Sequence, residues 1–110
     1  MDSWDKTASL KALSPLDGRY SVVCAPLRGL FSEGALIRER AVVEVQYWIK
    51  LLEFLGTDLP DTSAQASLAQ WAAGLADQEL DRVKQLEAQS RHDVKAVECL
   101  IREHVKGTAW

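Results

Sequence analysis

Apolar residues recur along most of this chain at intervals of three and four positions. Between residues 35 and 55, Ile37, Ala41, Val45, Trp48, Leu52 and Leu55 form a continuous stripe, the spacing that gathers side chains on one face of a helix. A second stripe, Leu36, Val43, Tyr47, Leu51 and Phe54, runs along the same segment and leaves Glu39, Gln46, Lys50 and Glu53 a narrow polar strip. A surface helix of a monomer usually shows one apolar face. This one is expected to need cover on two sides, from the remainder of a longer protein or from another subunit.

Gly56 is expected to stop that helix, and Leu59-Pro60-Asp61 to lead into the next. The alanine-rich stretch 62–74 places Leu68, Trp71 and Leu75 on one face. Asp77 suits the N-cap of a helix over 78–89, with Leu80, Val83 and Leu86 inward. A last helix follows Ser90 and carries Val94, Val97, Leu100, Ile101 and Val105. No clean period-2 run of β-branched residues competes with these assignments. Residues 1–25 hold no sustained period. They read as an irregular arm with a turn at Pro15-Leu16-Asp17-Gly18, where Pro suits an early turn position and Gly a left-handed one. Pro26 can open a short helix over 26–32 as a first-turn residue. The expected fold is all-α: one domain over 1–110, about five helices over 26–110, preceded by the extended arm.

Composition changes this picture little. The chain has 110 residues, 47% hydrophobic and 26% charged, with a net charge of −3, which fits one soluble globular domain. That balance gives no reason to expect nucleic acid as a partner, and no membrane association is expected: the apolar runs fall far short of the roughly 20 residues that cross a bilayer. Cys24 and Cys99 show no CxxC pattern or zinc spacing, so both read as free thiols, and no metal or other cofactor is expected. The first dozen residues lack the apolar core of a signal peptide. A cytoplasmic location is the expectation.

Two short constellations carry candidate chemistry. In Ser14-Pro15-Leu16-Asp17-Gly18-Arg19-Tyr20, a rigid turn presents an arginine fork suited to phosphate or carboxylate beside a tyrosine hydroxyl. The bland alternative is a surface turn with Arg19 solvated and Tyr20 packed on the next helix. In Ser90-Arg91-His92-Asp93, the Ser-x-x-Asp spacing ahead of an apolar run is a capping pattern, with Ser90 as cap and Asp93 at the third helical position. His92 is awkward for capping alone, because a helix N-terminus disfavours a cationic imidazole unless it meets an acid or an anion. The free amides of that helix end make an anion site, and the Asp93 carboxylate is placed to hold the imidazole's tautomer and orientation. The two readings coexist. His104, late in the last helix, reads as structural or solvent-facing, and Trp4 and Trp110 lie in the termini.

Taken together, Leu13 to Tyr20, Ala25-Pro26-Leu27-Arg28, Leu30-Phe31-Ser32-Glu33, Val43-Glu44-Val45 with Tyr47-Trp48, and His92-Asp93-Val94-Lys95-Ala96-Val97-Glu98 resemble the start of adenylosuccinate lyase of the longer bacterial type. The similarity runs from about Leu10 to Val105 and is weakest between Gly56 and Ala76. The resemblance implies domain 1 of the fumarase and aspartase superfamily. It implies a homotetrameric enzyme that cleaves adenylosuccinate to AMP and fumarate by β-elimination, and the succinylated carboxamide ribotide, SAICAR, to AICAR and fumarate, in purine nucleotide biosynthesis. It also assigns Arg19 and Tyr20 to the phosphate end of the substrate, and Arg91, His92 and Asp93 to the lining of the substrate site. The long bacterial type usually carries Asn where this chain has Arg91.

In that family the general acid is a histidine of a later His-Gly-Gln motif, and the general base a serine in Ser-Ser-x-Met-Pro. Neither motif occurs among these 110 residues. Elimination needs a base for the carbon-bound proton and an acid for the leaving nitrogen. The expectation is a substrate-binding portion, inactive alone, with no catalytic residue of its own unless His92 contributes to the chemistry. The alternative is an independent helical interaction module. Argininosuccinate lyase is disfavoured, because Asp-Gly-Arg-Tyr is not its opening motif.

Overall fold

The computed structural model describes residues 9–110, all-α as expected, with no strand among them. Trp4 and the first part of the arm lie outside the described residues. The chain divides into two compact units, the first ending at Ala35 and the second running Leu36–Trp110.

In the first unit, the chain turns through Ser14 to Tyr20 and then winds through α1 (Ser21–Cys24), a 3-10 turn (Ala25–Leu27) and α2 (Arg28–Phe31). Ser9 and Leu10 are helical as well, and after the turn helix resumes at Ser21, ahead of Pro26, where an irregular arm was expected. The Pro15 carbonyl gathers the Gly18 and Tyr20 amides, and the Tyr20 carbonyl accepts from Cys24, so the turn feeds straight into helix. Arg28 Nη2 donates back to Ser21 Oγ at 2.6 Å, closing this short run on itself. Ser32 Oγ accepts the Ala35 amide at 3.2 Å, a side-chain cap for the start of α3 (Glu33–Leu55).

In the second unit, α3 is followed by α4 (Thr62–Ala73), α5 (Asp77–Ser90) and α6 (Asp93–Val105). The four share one core: Ile37, Ala41 and Val45 from α3, Leu68 and Ala72 from α4, Val83 from α5, and Ala96, Val97, Leu100, Ile101 and Val105 from α6. Ala41, Ala72 and Ala96 have no exposed surface at all. A methyl side chain at each lets helix backbones approach closely, and the larger residues fill what remains. Trp48 and Trp71 pack against this core, and Trp110 returns to meet Trp48 edge-on, ring centroids 6.3 Å apart. His104 stays exposed and stacks on Trp71 at 3.7 Å, the rings 7° from parallel.

The second stripe of α3 stays uncovered: Leu36 is 47% exposed, Tyr47 64% and Phe54 86%. The exposed Leu55 marks where the inward stripe ends, and Gly56 leaves the helix at φ +68, the left-handed backbone that glycine adopts at least cost. Asp61 caps α4, its Oδ1 accepting the Ala64 amide at 2.8 Å. At α5 the cap position falls to Ala76 and Asp77 becomes the first helical residue. Ala76 has no side-chain acceptor, so Glu79 forms half of a capping box, accepting the Ala76 amide at 3.0 Å.

Across the α5–α6 pair, Arg82 holds Glu103 with two contacts, Nη2 to Oε1 at 2.7 Å and Nε to Oε2 at 3.2 Å. The hydrogen bond from Arg82 holds the Glu103 carboxyl below the ordinary carboxylate range. A depressed carboxyl stabilises the fold above the unfolded carboxylate's titration, and that support fades as pH falls through the folded value. The melting temperatures of the native chain and of Glu103→Gln should therefore differ at neutral pH and converge in acid. A gap that persists at pH 2–3 would remove the charge from the explanation.

Candidate functional site

The two constellations fall in different units, Arg19 and Tyr20 in the first, Arg91, His92 and Asp93 in the second. In the first, Asp17 N–H closes on the Ser14 carbonyl at 3.2 Å with Pro15 at the early turn position. Gly18 is buried and does not take a left-handed backbone, so the expected reason for glycine there is corrected. Its requirement is contact: a Cβ at Gly18 would sit 2.7 Å from the Ser9 carbonyl oxygen and 3.1 Å from the Ala12 Cβ. The turn is packed too closely for any side chain. It presents Arg19 and Tyr20 outward, with the guanidinium carbon 5.2 Å from the centre of the Tyr20 ring. Cation–π contact at an exposed site contributes about 0.5–1 kcal/mol, enough to bias both side chains towards a shared orientation.

At the second constellation the capping scheme differs from the expected one. Helix α5 continues through Ser90, and Arg91 takes a left-handed backbone at φ 56 while its amide donates to the Glu87 carbonyl at 2.7 Å. Ser90 therefore closes one helix and does not open the next. The cap of α6 is His92, whose Nδ1 accepts the Lys95 amide at 3.1 Å. Asp93 is the first helical residue, not the third, and its Oδ1 accepts the Val94 amide at 2.8 Å. Ser90 Oγ steadies the junction through both backbone polar groups of His92, at 3.2 and 3.3 Å.

This arrangement alters the chemistry available. The Val94 and Lys95 amides, which were expected to offer an anion site, are occupied by the helix's own side chains. The remaining donors are side chains. A ring nitrogen that accepts carries no proton, so a neutral His92 holds its hydrogen on Nε2. The tautomer is set by the Lys95 amide and not by Asp93, whose Oδ1 lies 3.9 Å from Nδ1, beyond hydrogen-bond reach. Arg91 and His92 are both exposed, giving a guanidinium and an imidazole N–H on consecutive residues.

Asp93 is occupied on its other side by Arg40 of α3, Nη2 to Oδ2 at 3.3 Å. Sequence reasoning passed over Arg40. A signal existed: Arg40 adjoins the buried Ala41, so its side chain leaves at the rim of the core, where an acid can meet it. Arg38, two residues earlier, spans to the Leu75 carbonyl at 2.8 Å, which fixes the α4–α5 connection. Among the described residues, no group of His, Cys, Asp and Glu side chains gathers as a metal site, and both cysteines are free. No described helix is long and apolar enough to cross a membrane.

No family model matches the chain. Among curated proteins it is similar to the adenylosuccinate lyase of Haemophilus influenzae, 40% identical over 102 residues, which are 90% of this chain and 22% of that protein. To the adenylosuccinate lyase of Escherichia coli K12 it is 39% identical over 101 residues, 89% of this chain and 22% of that protein. To the one of Dictyostelium discoideum it is 35% identical over 101 residues, 86% and 21%. The chain thus spans about a fifth of the length of these relatives.

Proposed function

Because the matched part of this chain belongs to the adenylosuccinate lyase family, we propose that it supplies substrate-binding residues to such an enzyme without completing the catalytic site. The reaction is the cleavage of adenylosuccinate to AMP and fumarate, and of SAICAR to AICAR and fumarate, within purine nucleotide biosynthesis. In this reading Arg19 and Tyr20 meet the phosphate end of the substrate, and Arg91 and His92 donate to its other anionic groups. Asp93 lines the same site, its carboxylate paired with Arg40. The observation that carries it is the state of His92: Nδ1 is tied back to the Lys95 amide, which leaves Nε2–H as an outward donor in a ring that cannot act as a base through Nδ1.

A substrate rich in phosphate and carboxylate suits donors of this kind, because hydrogen bonds with an ionised partner are roughly twice as strong as neutral ones. The chemical step asks for more: a base takes the carbon-bound proton, the carbon–nitrogen bond breaks, and an acid protonates the leaving nitrogen. These 110 residues contain neither family motif for that acid and base. The working enzyme is a homotetramer in the cytoplasm, and the uncovered stripe of α3 supports self-association or cover by further chain. The same stripe favours a second reading, a helical interaction module without catalytic role.

A chimera separates the two. With these 110 residues in place of the matching fifth of the H. influenzae enzyme, fumarate should be released from adenylosuccinate, while the 110 residues alone release none. A folded chimera without activity would favour the interaction module. Turnover by the 110 residues alone, at a rate near a normal enzyme's, would remove the claim that the site is incomplete.

A further inference from the structure

We propose that Arg40 is a positioning residue for His92, acting through Asp93. The imidazole Nδ1 has two partners that exclude each other. It accepts the Lys95 amide at 3.1 Å, which requires Nδ1 to be unprotonated. It also lies 3.9 Å from Asp93 Oδ1, a carboxylate it can serve only as a protonated donor. The structure holds the first arrangement, and the surroundings of Asp93 explain why. Oδ1 already accepts the Val94 amide, and Oδ2 pairs with Arg40. A carboxylate with a cation on one oxygen and a backbone donor on the other attracts a protonated imidazole weakly.

Without Arg40, Asp93 would be an uncompensated anion beside a histidine. An opposite charge within about 4–6 Å favours the charged form of a titratable group. Nδ1 would then have a competing partner in Asp93, which a ring with its hydrogen on Nδ1 reaches by turning and releasing Lys95. Arg91 and Lys95, the charged neighbours of this junction along the chain, are both cations and oppose that change. Arg40 therefore keeps Asp93 from competing for the ring, so that Nδ1 stays on the Lys95 amide and the hydrogen belongs to Nε2.

A plain interhelix tie predicts something different. The Arg40 and Asp93 side chains are 36% and 49% exposed, and exposed pairs contribute little stability. On that account Arg40→Gln shifts the melting temperature slightly and leaves the imidazole as it was. Two-bond 1H–15N correlation spectra report directly which ring nitrogen carries hydrogen. The chain has two histidines, and His104, stacked on Trp71, serves as the internal control.

In the 110-residue chain at neutral pH, His92 should show the pattern of the Nε2–H tautomer. Arg40→Gln should move it towards a pattern with hydrogen on Nδ1, Arg40→Lys should retain most of the native one, and His104 should not change. In an Asp93→Asn background, Arg40→Gln should have no further effect on His92. An unchanged His92 pattern in Arg40→Gln would overturn the proposal, as would an equal change with and without the Asp93 carboxylate. The consequence for activity rests on the substrate-donor reading above, and the chimeric enzyme tests it separately. There Arg40→Gln should lower kcat/KM on the order of 10-fold, with partial recovery in Arg40→Lys. A moved imidazole with unchanged kinetics would uphold the positioning and overturn the substrate-donor reading.

Discussion

Replacing His92 with Asn in a whole enzyme carrying this sequence should lower kcat/KM by roughly 10- to 150-fold while leaving the melting temperature unchanged or higher. The choice of Asn follows from the structure. His92 has one observed task and one proposed: Nδ1 caps α6 on the Lys95 amide, and Nε2–H is the donor of the proposed substrate contact. Asn is among the preferred N-cap residues, so its carbonyl oxygen takes over the first task. It is too short to repeat the second. The loss of a hydrogen bond to a charged group is about 1.5–3 kcal/mol, which sets the kinetic range. His92→Ala removes both tasks and should add a stability loss of about 1 kcal/mol, the usual cost of deleting a cap. If Asn keeps activity within a few-fold of native, the imidazole is a helix cap and no more.

Leu75→Ala should cost about 2–5 kcal/mol, a large share of the roughly 5–15 kcal/mol that holds a domain folded. Leu75 lies between α4 and α5, yet it is among the largest fully buried side chains, 1% exposed. Its carbonyl accepts Arg38 Nε at 2.8 Å. That anchor prevents the connection from sagging into the space left by the lost methyls, so the site should fall at the costly end of the range, where cavities persist. The expected fall in melting temperature is on the order of 10–30 °C. A denaturant midpoint that reports less than about 1 kcal/mol of loss would mean that the connection collapses inward after all.

The helical architecture was legible because it rests on local periodicity. The inward stripe of α3, the inward faces of α4 and α5, and most of α6 lie where the spacing of apolar residues puts them. What stayed illegible depends on a few backbone angles or on pairing across the fold. The Ser-x-x-Asp pattern suits a cap at Ser90, but it cannot report that Arg91 adopts φ 56, which carries α5 one residue further and moves the cap to His92. Gly18 showed the right residue for the wrong reason, since the crowding comes from Ser9 and Ala12 in a segment without periodicity. The Arg40–Asp93 pair joins two helices far apart in sequence, and only the packing of α3 against α6 brings them together. The roles of Arg19, Tyr20, Arg91 and His92 were suggested by two motifs, which identify residue types but not which ring nitrogen faces outward.

The left-handed backbone at Arg91 restricts what evolution can write at that position. Among the described residues it alone is a non-glycine with positive φ, a conformation that strains β-branched and bulky side chains and suits Gly best, with Asn next. The family resemblance leads one to expect Asn there, the residue that combines tolerance of this angle with a polar donor. Arginine keeps the donor and lengthens it at some backbone cost, whereas Gly would relax the backbone and leave the site without that donor. Drift at position 91 is thus confined to a short alphabet by the geometry of a helix junction, before any demand from the substrate. A Val or Ile in a related sequence would signal a rebuilt junction more than a changed ligand.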